Sequence, residues 1–211
     1  DGKENYSNSY GILGETCDGT QSEYICLNEE NVYKMPNHLS FEESSSMQLV
    51  FMTAYQMLIE RAKLKSSENV LIYGATSGVG SAAIQIAKDI GAHVVSTVGY
   101  EEKVKHAYKM GSDDVFIHDK NLKDNLSKVN KSKFDVIFEH IGLKTWKQSL
   151  SLLDVGGRLV TCGSTTGAIV EIDLRHLFSK QQSIHGSTMS DINTFKTVMN
   201  KIENKKYFPF I

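Results

Sequence analysis

Three glycines fall within seven residues in Gly74-Ala75-Thr76-Ser77-Gly78-Val79-Gly80, inside the longer stretch VLIYGATSGVGSAAIQIAKDIGAHVVSTV. An apolar run precedes them and an apolar helical pattern follows. Small residues at a strand-to-helix turn let the backbone approach a phosphate. The free amides of the helix N-terminus then face the negative charge, helped by the helix dipole. Gly74, Ala75, Ser77, Gly78 and Val79 are therefore candidate phosphate-binding residues. The spacing departs from G-x-G-x-x-G because the middle glycine is displaced, so the weight rests on the position between strand and helix. A tight structural turn is the plain alternative. A nucleoside-triphosphate loop is excluded, since no Gly-Lys-[Ser/Thr] follows.

In a dinucleotide fold the end of the second strand discriminates the cofactor. A carboxylate there would bind the ribose 2′-hydroxyl of NAD. Here that end reads Thr97-Val98-Gly99-Tyr100, without a carboxylate. Glu101 and Glu102 follow, at the start of a helix where acidic residues complement the dipole. Lys103 can meet a 2′-phosphate as a point charge, or can be an ordinary solvated lysine. The reading favours NADP(H), with NAD(H) as the alternative.

Other reactive groups carry less. Cys162 ends a predicted strand without a visible basic partner, which reads as a buried thiol rather than a nucleophile. His140, after Glu139, is a candidate acid/base or a cleft-lining histidine. Tyr55 and Gln56 can face substrate or pack. None of the nine tyrosines has lysine four residues on, which removes the Tyr-x-x-x-Lys chemistry of short-chain dehydrogenases. No CxxC, HExxH or His-x3-His pair suggests a metal site. The sequence names no catalytic residue.

These residues need elements to position them. The 211 residues carry 23 Lys+Arg against 25 Asp+Glu, a net charge of −2, so no basic field exists for nucleic acid or an anionic membrane. No apolar run is long enough to span a bilayer. Three cysteines do not form a paired framework and fit a reducing, cytoplasmic setting. Strand-like runs at 69–74, 92–98, 114–118, 134–140, 157–163 and 182–188 alternate with helical patterns at 79–90, 101–110, 121–129 and 144–153. Continuous apolar strands between amphipathic helices predict an α/β fold, a Rossmann-type doubly wound parallel sheet. Ser40, with Glu43 three residues on, predicts a capped helix before it. Residues 1–36, with SEYICL and NVYKM, read as irregular β structure. Residues 191–211 read as one more helix and an extended end.

In their order these motifs resemble the medium-chain dehydrogenase/reductase family, of the zinc-type alcohol dehydrogenase and quinone oxidoreductase kind. GILGETCDGTQSEYICLNEENVYKMP is similar to the end of the family's GroES-like catalytic domain. LSFEESSSMQLVFMTAYQML is similar to its connecting helix, and the glycine stretch, FDVIFEHIG and GGRLVTCGSTTG to its cofactor domain. The resemblance implies a β-rich GroES-like remnant over 1–40, a connecting helix over 41–66, a Rossmann NAD(P)-binding domain over 67–190, and a helix beginning the return to the catalytic domain over 191–211. It implies that Thr53 lies near the nicotinamide and that Ser77, Gly78 and Val79 hold the pyrophosphate. Gly99, Lys103 and His118 would surround a 2′-phosphate, and Gly142, Cys162, Gly163 and Ser164 would line the nicotinamide ribose. It implies a homodimer through the edge strand near 182–188. Two departures matter: Ser7 stands where zinc members place a structural cysteine, and Leu49 near the place of a catalytic one. No zinc is expected in this chain, which would lack most of the GroES-like segment. The implied activity is hydride transfer between NADP(H) and a small quinone, enone or carbonyl substrate. The alternatives are a zinc-dependent alcohol dehydrogenase with its ligands outside this chain, or a cofactor-binding module without turnover.

Overall fold

A computed structural model describes residues 2–211. In chain order the elements are α1 (Phe41–Tyr55), β1 (Asn69–Ile72), α2 (Gly78–Ile90), β2 (His93–Val98), α3 (Val104–Lys109), β3 (Asp114–Ile117), α4 (Leu122–Lys128), β4 (Phe134–Glu139), α5 (Leu143–Leu152), β5 (Leu153–Thr161), α6 (Leu174–Ser179), β6 (Ser183–Gly186) and α7 (Ile192–Glu203). The strands form one six-stranded sheet in the order β3-β2-β1-β4-β5-β6. Every pairing is parallel. This is the doubly wound arrangement expected from the alternating runs.

The apolar strands are continuous because both faces are covered. Val70, Ile72, Val94, Val136, Phe138 and Val160 point into the core shared with α1, α2 and α7. Leu71, Tyr73, Val95, Ile137 and Leu159 point the other way, into a core with Leu122 and Leu126 of α4 and Trp146 of α5. That alternation follows from the two-residue period of a strand. With both faces buried, only the strand ends are left for polar work.

Local chemistry sets the boundaries. Ser40 caps α1 through a full capping box: its Oγ accepts from the Glu43 amide, and the Glu43 carboxylate accepts from the Ser40 amide. Gly91 stops α2 in the left-handed conformation, at φ 90°. The C-terminal tail docks back on α1, with Phe51 and Tyr207 stacked at 5.3 Å between centroids.

Several elements differ from the sequence expectation. SEYICL and NVYKM form no strands. Residues 2–40 hold two short 3-10 turns, Glu4–Tyr6 and Glu29–Asn31, and a single bridge between Leu13 and Cys17. A β-prone run becomes a strand only when a neighbouring backbone takes its hydrogen bonds, and no described residues form a ladder with these runs. The β-rich character expected of 1–40 is thus absent among the described residues. β5 begins at Leu153, four residues before the expected 157, because the register shifts between Phe134 and Val136 of its neighbour. A π-helical turn, Gln56–Arg61, follows α1, and the short α6 lies where the sequence showed no helical period.

One ion pair fastens this scaffold. Arg158 of β5 makes a two-pronged contact with Glu68, at 2.9 and 2.7 Å, while its Nε donates to the Ala62 carbonyl at 2.9 Å. Burial pushes the Glu68 carboxyl up, but the hydrogen bond and charge of Arg158, with the Lys65 amide, outweigh it and leave the pKa lowered. A lowered folded-state pKa gives stability that is present above the unfolded carboxylate value, about 4.3, and lost as pH falls through the folded value. Arg158→Ala is expected to lower stability by about 2 kcal/mol at pH 7. Urea unfolding at pH 7 and at pH 3 checks this, with a smaller difference between the two proteins at pH 3.

Candidate functional site

β1 and β4 are neighbours in the sheet, yet the chain leaves them in opposite directions. A crevice opens at such a switch point, outside the carboxyl ends of the strands. The glycine loop forms one wall. Gly74 has φ +65°, and the Ala75 amide donates to the Thr97 carbonyl at 2.8 Å. Ser77 caps α2, its Oγ accepting from the Gly80 amide at 3.0 Å. A Cβ on Gly80 would lie 2.1 Å from the Gly74 carbonyl oxygen, and one on Gly78 would lie 2.7 Å from Val50 Cγ1 of α1. Both positions require glycine for close approach. The amides of Gly78 and Val79 meet no acceptor among the described residues, so the N-terminus of α2 offers free donors beside the crevice. Thr53, buried on α1, lies one turn beyond Val50.

At the ends of β2 and β3, Thr97 Oγ1 and His118 Nδ1 are 3.1 Å apart. A Cβ on Gly99 would come 3.7 Å from His118 Nε2. Burial pushes the His118 pKa down; Glu139 and Asp119 raise it, while His140 and Lys103 lower it further, and the net direction is down. Lys103 lies in the 3-10 turn Glu101–Lys103, exposed, its Nζ 5.6 Å from the centre of the Tyr100 ring. Gly99, Lys103 and His118 therefore share one corner of the sheet edge.

On the other side of the switch point, His140 Nε2 donates to the Tyr73 carbonyl at 3.0 Å. Its ring lies so close to Gly74 that a Cβ there would be 2.9 Å from Nε2. Gly142, at φ +89°, presses against the loop after β5: a Cβ would meet the Gly167 carbonyl oxygen at 2.6 Å and Ser164 Cα at 3.0 Å. Gly163 packs on the His140 carbonyl. Burial pushes the Cys162 thiol up to about 11, with the Glu139 charge adding to it. That is the opposite of an activated thiol.

Sequence reasoning missed the group that shapes this edge. Glu139, fully buried, takes four donors: the Ile141 and Gly142 amides on Oε1 at 2.6 and 3.2 Å, and the Thr145 and Ser149 hydroxyls on Oε2 at 2.8 and 2.9 Å. The signal was present, since Thr145 and Ser149 stand four apart and so share one face of a helix that starts just after Glu139. Of the other residues weighed, Gln56 is buried in the π turn and Tyr55 is half-buried. Leu49 is 55% exposed, and Ser7 is exposed with its hydroxyl on Ser9. Among the described residues no three His, Cys, Asp or Glu side chains converge as metal ligands.

A parallel sheet of this order, with a glycine turn and free helix amides at its switch point, defines a Rossmann-type dinucleotide-binding fold. The chain belongs to the zinc-binding dehydrogenase family, whose model matches residues 78–204; these are the medium-chain dehydrogenases/reductases. It is 36% identical over 180 residues to the quinone oxidoreductase of Homo sapiens, covering 84% of this chain and 54% of that protein. The structure is similar to that of an NAD-dependent alcohol dehydrogenase, with TM-score 0.92 and 33% identity over 98% of this chain and 61% of that one. It is also similar to the 2-octenoyl-CoA carboxylase reductase CinF in complex with NADP and 2-octenoyl-CoA, with TM-score 0.77 and 29% identity over 85% of this chain and 45% of that one. The chain spans about half the length of the curated relatives it matches.

The Glu139 network yields a stability prediction. Glu139→Ala strands the Ile141 and Gly142 amides at a cost of about 1–3 kcal/mol for each buried unsatisfied group, while the Thr145 and Ser149 hydroxyls retain the Gly142 and Thr145 carbonyls as acceptors. Glu139→Gln keeps one acceptor oxygen for the amides, and its amide group can donate to the hydroxyls. Urea unfolding is expected to show a loss above about 3 kcal/mol for alanine and less than half of that for glutamine.

Proposed function

We propose that this chain is the cofactor-binding part of an NADP(H)-dependent reductase, which passes hydride between the nicotinamide and a small quinone, enone or carbonyl substrate. The observation that carries the cofactor reading is the corner made by Gly99, Lys103 and His118: no carboxylate on the strand end, one lysine and one histidine near a glycine. A ribose 2′-hydroxyl would want an acceptor there, whereas a 2′-phosphate wants positive charge and room. The solved relative holding NADP supports the same reading.

In this reading the amides of Gly78 and Val79, with Ser77 fixing the helix start, bind the pyrophosphate next to Gly74 and Ala75. Thr53 on α1 faces the nicotinamide end. Gly142, Cys162, Gly163 and Ser164 line the nicotinamide ribose, and the Glu139 network sets their spacing. The nicotinamide supplies the hydride when bound; the protein supplies position and excludes water. Residues 1–40 are the GroES-like remnant, 41–66 the connecting helix, 67–190 the cofactor domain and 191–211 the start of the return to the catalytic domain. β6, with only β5 beside it, is the edge through which two copies pair. No described helix is long and apolar enough to cross a membrane; the reading places the protein in the cytoplasm.

Titration of the chain with NADPH and NADH at fixed salt tests this reading. NADPH is expected to bind at least tenfold tighter, about 1.4 kcal/mol, and to lose most of that margin in Lys103→Ala. Equal affinities would sink the 2′-phosphate site and favour a zinc-dependent alcohol dehydrogenase with its ligands elsewhere. Binding of both without turnover on any quinone, enone or alcohol would favour a pure binding module.

The same corner predicts a pH dependence. His118 is mostly neutral in the free protein because its pKa is lowered, and a bound phosphate dianion stabilises the protonated ring. NADPH affinity relative to NADH is therefore expected to rise by a factor of a few as pH falls from about 8 to 6.5, above the second phosphate pKa of about 6. In His118→Gln the ratio is expected to be flat, measured by fluorescence titration across that range.

A further inference from the structure

On the face of the sheet away from α1 and α2 lies a cavity of about 850 Å³, between α5, α6 and the loop 169–173. Its volume is in the range of small-molecule sites. Trp146 and Leu150 of α5 and Leu177 of α6 line it. The apolar surface continues outward to Ile169, 86% exposed, and Leu143, 54% exposed.

The charge beside those walls is predominantly positive. Four lysines, Lys123, Lys133, Lys147 and Lys180, line the same cavity. Burial pushes the Lys133 pKa down and the charges of Lys180 and Lys123 push it further, against a smaller pull from Asp154. Lys133 donates to the Ser151 carbonyl at 2.7 Å, a neutral partner. Among the described residues none of the four lysines is paired with a carboxylate. Two carboxylates, Glu171 and Asp173, also line the cavity, but Asp173 is taken by Arg175 at 2.8 Å. Four ammonium groups against Glu171 and the already engaged Asp173 leave an excess of positive charge that favours an anion, and the Trp146–Leu150–Leu177 wall favours an apolar body attached to it.

We propose that this cavity is a second ligand site, distinct from the cofactor crevice, for an anionic amphiphile: an acidic head held by Lys133 and Lys180, with an apolar body against Trp146 and Leu177.

Trp146 is the only tryptophan in the chain, so its emission reports directly on the cavity. The test titrates the chain with decanoate below its critical micelle concentration and, in parallel, with decanol. Saturable change in Trp146 emission is expected, with decanoate at least tenfold tighter than decanol. The double variant K133Q/K180Q is expected to lose at least tenfold in decanoate affinity while keeping its decanol affinity, which also shows that the fold and the apolar wall survive. NADPH binding is expected to be unchanged in that variant, so failure here and failure of the cofactor reading are told apart. Equal binding of decanoate and decanol, or a lysine variant that binds decanoate as well as the parent, overturns the proposal. So does Trp146 emission that shifts with protein concentration alone, which would make a second copy of the chain the occupant.

Discussion

A side chain at residue 80 would put its Cβ 2.1 Å from the Gly74 carbonyl oxygen, and much of the molecule follows from the absence of that side chain. Because α2 can start this close to the end of β1, Ser77 reaches the Gly80 amide and caps the helix. The amides of Gly78 and Val79 then project past the sheet rather than into it. The contact also fixes how α2 lies on β1 and β2, with Ala82 and Ala83 fully buried where longer side chains would hold the helix away. α1 completes the arrangement by laying Val50 against Gly78. Three close approaches at one corner therefore serve the core and the crevice together. Changing any of the glycines would disturb both.

The far wall of the crevice is organised differently, by charge rather than by small size. β4 ends in a carboxylate with no access to water, and a buried carboxylate persists only when its lone pairs are filled. The Ile141 and Gly142 amides and the Thr145 and Ser149 hydroxyls fill them. The turn after β4 is thereby tied to the first two turns of α5. Gly142 can then sit at φ +89° against Ser164 and Gly167, which brings the loop after β5 to the edge of the crevice. His140 spans the gap with its hydrogen bond to the Tyr73 carbonyl. One wall exposes unpaired backbone donors; the other turns the Ile141 and Gly142 amides onto its own buried carboxylate.

The two walls explain what was legible in the sequence. Glycine spacing between an apolar strand and an apolar helix is a local pattern, so the loop and the doubly wound sheet could be read from residues near one another in the chain. The caps at Ser40 and Gly91 are equally local. The Glu139 network joins residues ten apart across a strand, a turn and a helix, and its one local signal, the four-residue spacing of Thr145 and Ser149, marks a shared helix face without naming the partner that face meets. The N-terminal runs misled for the opposite reason. Tyr24 and Val32 have strand propensity but are 89% and 59% exposed, and propensity without a pairing neighbour or a face to bury makes no strand. α6 escaped notice because six residues are too few to show a helical period.

Cofactor choice stands apart from all of this. Lys103 is exposed, in a 3-10 turn, with its ammonium over the ring of Tyr100. No core residue depends on it. His118 is held by its amide on the Val98 carbonyl, by the Tyr73 ring, and by Thr97, whose own carbonyl and hydroxyl face Ala75 and Gly74. The charge of Lys103 can therefore change without disturbing the glycine contact or the Glu139 turn, whereas those two cannot change without disturbing the crevice. A fold of this kind can keep its phosphate-binding geometry constant while different members select different dinucleotides, because the selecting side chains sit on the rim and the positioning ones lie beneath it.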